Sequence, residues 1–266
     1  MDKGHFNFLT ITLFISVFIL SCRNGSPKQE MITPEKLDYK LVWEDDFNGP
    51  ELDTLKWNVR GIGPRRIGYI SEKAVEVEDG YLKLYALREG DSILSGAVGT
   101  QKHFNPKYGY FECRAQMQSS YGVWAAFWLQ SALISQGSDP AKYGTEIDIF
   151  EFFREVGKDT VQHALHWAYG PEMKSVGPMN SYLEGLSIGF HIFALEWTPE
   201  KYVFYIDGIK FHEQRQGISH IGEYIILSME LPGTMEQLEN TVFPDVFTVD
   251  YVRVYQKEYS SSAEGS

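Results

Sequence analysis

Cysteine is almost absent from this chain: 266 residues contain two, Cys22 and Cys113. A dense disulfide framework is therefore excluded, and stability must come from packing. Basic residues are also scarce, with 24 Lys and Arg against 36 Asp and Glu, a net charge of −12 and a pI near 5.1. That balance argues against a nucleic-acid partner, which needs cations to replace phosphate counterions. It weakly disfavours a heavily sulfated polymer, although a local basic cleft can override the average. Long helical periodicity is missing, as are internal repeats and low-complexity blocks inside the domain. What is plentiful is hydrophobic and aromatic residues, 43% and 15% of the chain. These suffice for one catalytic-sized domain with a substantial core.

The period-2 signal is strong. "YLKLYALRE" alternates Leu82, Leu84 and Ala86 against Lys83, Tyr85 and Leu87. "YGYFECRAQMQ" sets Phe111, Cys113, Ala115 and Met117 against Tyr110, Glu112, Arg114 and Gln116. "FHIFALEWT", "KYVFYIDGIKFHE", "YIILSMEL" and "FTVDYVRVYQ" are further β-branched and aromatic runs, and Asp207-Gly208 reads as a hairpin turn. "DPAKY" and "PEMKS" offer a helical turn or two at most. Many short strands between turns predict an all-β sandwich.

The first residues read differently. A head with Lys3 precedes an apolar run from Phe8 to Leu20, shorter than the roughly 20 residues that span a bilayer. The run ends in Ile19-Leu20-Ser21-Cys22, which resembles a bacterial lipoprotein signal. The resemblance implies a signal peptide over 1–21, lipidation of Cys22, and export with tethering to a bacterial membrane, periplasm-facing or at the cell surface. An ordinary signal peptide with an incidental cysteine is the alternative. Residues 23–36, polar and containing Pro, read as a flexible tether, 37–258 as the catalytic domain and 259–266 as a flexible tail.

The stretch "TEIDIFEFF" places three carboxylates in a strand of Ile and Phe. Unpaired buried carboxylates lose several kcal/mol of hydration, so the charges need a reason. Alternation puts Glu146 and Asp148 on one face and Ile147 and Ile149 on the other. Strict continuation would expose Phe150 and bury Glu151. A β-bulge at Ile149–Phe150 corrects the phase and returns Glu151 to the acidic face. The two glutamates then stand on the order of 13 Å apart along the backbone. Leaning inward, their side chains can reach the roughly 5–5.5 Å separation of a retaining glycosidase. From the residues alone, an acidic surface ladder or a calcium site stays open.

"EIDIFE" resembles the E-x-D-x-x-E motif of glycoside hydrolase family 16, in its bulged, laminarinase, agarase and endo-β-galactosidase-like branch. "LVWEDDFNGPELDTLKW", "YGYFECRAQMQSSYGVWAAFWLQ", "FHIFALEWTPEKYVFYIDG" and "VDYVRVYQ" resemble other family segments in the family's order, the second of them its cleft strand pair. The resemblance implies a concanavalin-like β-jelly roll of two curved antiparallel sheets with a concave substrate cleft. It implies Glu146 as nucleophile, Glu151 as general acid/base and Asp148 as assisting carboxylate. In the resting site Glu146 is then charged and Glu151 protonated, and ester formation at Glu146 lowers the pKa of Glu151.

Sugar rings need aromatic platforms and polar edges. By position, Trp124, Trp128, Glu112, Arg114 and His166 match substrate contacts of the family, while Trp167 has core parity. No cofactor is implied. By the same resemblance, Asp46 and Asp250 lie in segments near which some relatives hold a structural calcium. Ala125, where a Pro is common, Ser228, where an Asn is usual, and the basic "GPRRIGY" depart from the family pattern. The expected function is an endo-acting retaining β-glycanase on a polysaccharide or glycan. The Ala125 and Ser228 departures lean it toward β-galactosidic chains of the poly-N-acetyllactosamine or keratan kind over β-1,3-glucan. The expected protein is a monomer that meets the membrane only through its lipid. A non-catalytic glycan-binding lipoprotein and a transglycosylase are the competing readings.

Overall fold

The computed structural model describes Met1 and residues 31–258. Residues 2–30, which hold the expected signal peptide, Cys22 and most of the expected tether, and 259–266, the expected tail, lie outside the described residues. In chain order the strands are β1 Lys40–Asp45, β2 Asn58–Val59, β3 Gly63–Arg65, β4 Gly68–Ile70, β5 Val75–Glu78 and β6 Tyr81–Glu89. Then follow β7 Ser92–Ser95, β8 Ala97–Gly99, β9 Gly109–Gln116, β10 Trp124–Gln130, β11 Glu146–Phe153 and β12 Thr160–Trp167. The last are β13 Lys174–Tyr182, β14 His191–Trp197, β15 Tyr202–Ile206, β16 Ile209–Gln214, β17 Tyr224–Glu230 and β18 Asp245–Gln256.

They form two sheets, as the alternation requires. A seven-stranded sheet runs β13-β12-β11-β10-β17-β8-β2. An eleven-stranded sheet runs β16-β15-β14-β9-β18-β6-β7-β4-β3, with β1 on β18 and β5 on β6. Asp207 and Gly208, with φ of 50° and 75°, turn β15 into β16, the left-handed pair that such a hairpin favours. "DPAKY" makes one short helix, Pro140–Tyr143, capped by the Asp139 side chain. "PEMKS" makes none; it turns and enters β13.

The inward faces interlock. Phe150 of β11 lies 4.2 Å, centroid to centroid, from Phe193 of β14 and 5.9 Å from Phe247 of β18. All three rings are fully buried, each adding about 1.5–3 kcal/mol of transfer free energy. Trp167 joins this core, as its parity predicts.

Two expectations change here. Residues 31–36 are not a loose tether: Ile32 N–H donates to Gly208 O at 2.8 Å, and Ile32 and Leu37 pack against Tyr39, Tyr110, Tyr205 and Tyr255 on the outer face of the larger sheet. Nor are β9 and β10 a cleft pair. β9 sits between β14 and β18, and β10 between β11 and β17, in the opposite sheet. Alternation assigns faces within a strand, and two successive strands can satisfy it from different sheets.

Candidate active site

β11 carries the site because its phase breaks once. Trp128 of β10 faces Asp148, and Phe127 faces Phe150, so Ile149 is skipped. On the other side Asp148 pairs with Ala164 and Glu151 with Gln162, leaving Ile149 and Phe150 opposite His163 alone. Ile149 and Phe150 both point into the core, and Glu151 emerges beside Glu146 and Asp148 in one cavity. The carbonyl of the extra residue, Ile149, accepts from His163 Nδ1 at 2.5 Å, while His163 Nε2 meets Ser181 Oγ at 2.8 Å. Burial pulls the His163 pKa down to about 4, so the ring is a neutral strut with its proton on Nδ1.

Each outer glutamate has its own donors. Gln130 Nε2 donates to Glu146 Oε2 at 2.8 Å, and the Tyr169 hydroxyl donates to the same oxygen. Trp124 Nε1 donates to Glu151 Oε1 at 2.9 Å. Burial is the main cause that pushes the Glu151 pKa up to about 8; the Asp148 charge adds to it and the Trp124 bond opposes it. Asp148, buried between the two, is raised well above the carboxylate range by desolvation first and then by Glu146 and Glu230. At neutral pH, Glu151 therefore holds a proton that it can give to a neighbouring oxygen.

His166 Nε2 stands 3.4 Å from Asp148 Oδ2, with Nδ1 on Ser175 Oγ at 2.7 Å. Donor atoms of Glu146, Asp148 and His166 fall within 4.8 Å of one another. His166 and Asp148 are already within reach of each other, and Glu146 has two protein donors, so protein groups answer this cluster.

Trp124 and Trp128 share the cleft face with Ala126, as alternation requires. Their indole N–H groups are spoken for, by Glu151 and by Ser228 Oγ at 3.1 Å. Arginines stand over both rings: Arg66 4.8 Å above Trp124 and Arg60 4.9 Å above Trp128. Arg65 Nη2 pairs with Glu230 Oε2 at 2.8 Å. The unassigned "GPRRIGY" thus forms the β3–β4 hairpin beside the acids.

Two predicted contacts fall elsewhere. Glu112 and Arg114 lie on β9, across the core from the acids. Glu112 is buried and accepts from the Tyr255 hydroxyl at 3.2 Å; Arg114 Nη1 is bonded to Asp250. Neither reaches the cleft, because their polar face is the outer face of the larger sheet. The same bond takes up the Asp250 carboxylate, and Asp46 is exposed. Ala125 is also turned from the cleft, fully buried in the core.

Several cleft residues escaped the sequence reading. Gln130 shares the parity of Trp124 and Trp128 and was discoverable by counting. Tyr169 comes from a loop, where no periodic signal exists. Glu230 ends β17 and Arg60 follows β2 in a connection, and only the fold brings them together.

The chain is similar to known proteins in both sequence and fold. The chain is similar to the clotting factor G alpha subunit of Tachypleus tridentatus, 28% identical over 243 residues, 85% of this chain and 35% of that one. It is similar to the glucan endo-1,3-beta-glucosidase A1 of Niallia circulans, 26% identical over 266 residues, 82% of this chain and 38% of that one. It spans little more than a third of the length of these curated relatives. Among solved structures it resembles the laminarinase from Flavobacterium sp. UMI-01, with a TM-score of 0.67 and 29% identity over 82% of this chain and all of that one. Residues 68–241, more than half of the chain, match the glycosyl hydrolases family 16, and the chain belongs to that family.

Proposed function

We propose that this chain is an endo-acting β-glycanase that cleaves by double displacement. The observation that carries the reading is the bulge, which sets a protonated Glu151 on the same face as Glu146 with separate donors on each. Glu151 gives its proton to the glycosidic oxygen while a Glu146 oxygen bonds to the anomeric carbon. The C–O bond breaks, and the leaving chain departs as an alcohol. The ester removes the Glu146 charge, Glu151 becomes the base, and water whose proton it takes opens the ester. Asp148 and His166 hold the space between them. Glycanases of this family need no cofactor for this chemistry.

For the substrate we favour β-1,3-glucan, supported by the similarity to the Niallia circulans endo-1,3-beta-glucosidase and the Flavobacterium laminarinase. The sequence lean toward β-galactan loses support here: Ala125 faces the core, and the Ser228 hydroxyl is engaged by Trp128. Incubation with laminarin, lichenan, agarose, keratan and mucin glycans, followed by product sizing, tests this. A ladder from laminarin is expected; a ladder from keratan alone would move the substrate to β-galactan. Binding without cleavage, unchanged in Glu146→Gln, would make the protein a glycan-binding module.

We further propose export as a lipoprotein monomer anchored through Cys22, supported by the sequence around Ser21-Cys22. Cys22→Ala should release the protein from the membrane fraction; unchanged fractionation would remove the anchor.

A further inference from the structure

We propose that Glu223 is a positioning residue for Glu146: its buried carboxyl clamps the turn that leads into β11. This rests on the reading of Glu146 as the nucleophile.

Glu223 immediately precedes β17 and is fully buried. Its Oε1 accepts from the Thr145 N–H at 2.8 Å, one residue before Glu146, while Oε2 has no partner. Thr145 is held again through Oγ1, which donates to Gly217 O at 2.5 Å; that carbonyl also accepts from the Tyr202 hydroxyl at 3.3 Å. The turn presses closely on the carboxyl: a Cβ added at Gly144 would lie 2.2 Å from Ser131 Cβ and 2.9 Å from Glu223 Oε1. The next residue, Tyr224, pairs with Gln130 across the strands and donates to its Oε1 at 2.8 Å. Gln130 in turn donates to Glu146. Two adjacent residues at the entry to β17 thus hold the nucleophile twice, Glu223 by its backbone entry and Tyr224 by its side chain.

A fully buried carboxylate with an unpartnered oxygen is costly unless it keeps its proton. The groups that face it are Ser219 and Thr145 from the loops, Glu146 from β11 and Tyr202 from β15, and no cation acts on it among the described residues. Burial above all raises its pKa to about 8; the Ser219 and Thr145 hydrogen bonds favour the charged form and oppose it, and the Glu146 charge adds to the rise. Ionisation would put a second, uncompensated charge beside the nucleophile.

The folded state retains this proton after the unfolded chain has released it near the ordinary value of 4.5. The contribution is fully present below that value and is lost as pH rises through about 8. Wild type, Glu223→Gln and Glu223→Ala of the full chain are compared on laminarin and by thermal unfolding from pH 5 to 9. The Tm of wild type should fall relative to that of Glu223→Gln as pH rises. Glu223→Gln should hold kcat within about twofold of wild type at pH 6 and keep a larger share of it above pH 8, while Glu223→Ala loses about tenfold in kcat with KM nearly unchanged. A Tm difference between wild type and Glu223→Gln that is constant with pH overturns the inference, as does a wild-type kcat in Glu223→Ala. If Glu223→Ala does not fold, the Glu223→Gln comparison decides. The thermal comparison needs no substrate, so failure of the glycanase reading, seen as no hydrolysis by wild type, is separable.

Discussion

Trp124 Nε1 donates to Glu151 Oε1 at 2.9 Å, so a residue expected to stack on sugar also sets the acidity of the proton donor. The bond favours the carboxylate and works against burial, which holds the Glu151 pKa at about 8. Trp124→Phe keeps the aromatic bulk and removes the donor. Its alkaline limb of kcat/KM should shift to higher pH, read from a pH–rate profile. Glu151→Gln should lower kcat by about 10²–10⁴-fold.

The bulge should be expensive to disturb. Phe150→Ala opens a cavity between the sheets and should cost about 3–5 kcal/mol in denaturant unfolding. Deleting Ile149 leaves Glu-Ile-Asp-Phe-Glu, in which plain alternation already sets Glu146, Asp148 and Glu151 on one face, so hydrolysis should survive without the bulge. Complete loss of activity in a folded deletion variant would contradict the phase argument.

Much of this was legible in the sequence. Alternation around Glu146, Asp148 and Glu151 required a bulge, and Phe150 is found where the phase correction needs it. The sheet assignment of β9 was not legible, since Phe111 and Cys113 would face a core from either sheet. The partners of Glu146 were half legible: Gln130 obeys strand parity, whereas Tyr169 depends on how a loop folds back. "GPRRIGY" stood out by charge, yet only the fold puts Arg66 over Trp124.

His163 props the bulge through the Ile149 carbonyl, and its loss leaves that group buried without its donor. His163→Ala should destabilise by about 1–3 kcal/mol. The folded pKa of about 4 lies below the ordinary value of 6.5, so the wild-type contribution is present above 6.5 and lost as pH falls toward 4. The gap between wild type and variant, followed by Tm, should therefore narrow as the solution is acidified.

Arg114 offers the opposite expectation. It is ion-paired with Asp250 on the far sheet and is more than a third exposed. Arg114→Ala should leave kcat/KM within about twofold of wild type and change stability by no more than about 1 kcal/mol. A large loss of glycan affinity would return β9 to the cleft.

Cleavage by double displacement requires Glu146 to form a covalent glycosyl ester. The most direct measurement is a proton spectrum of the newly released reducing end, taken in the first minutes of laminarin hydrolysis before mutarotation. Double displacement makes the β-anomer appear first, with the configuration of the cleaved bond retained. First appearance of the α-anomer would mean single displacement by water and would contradict the role assigned to Glu146.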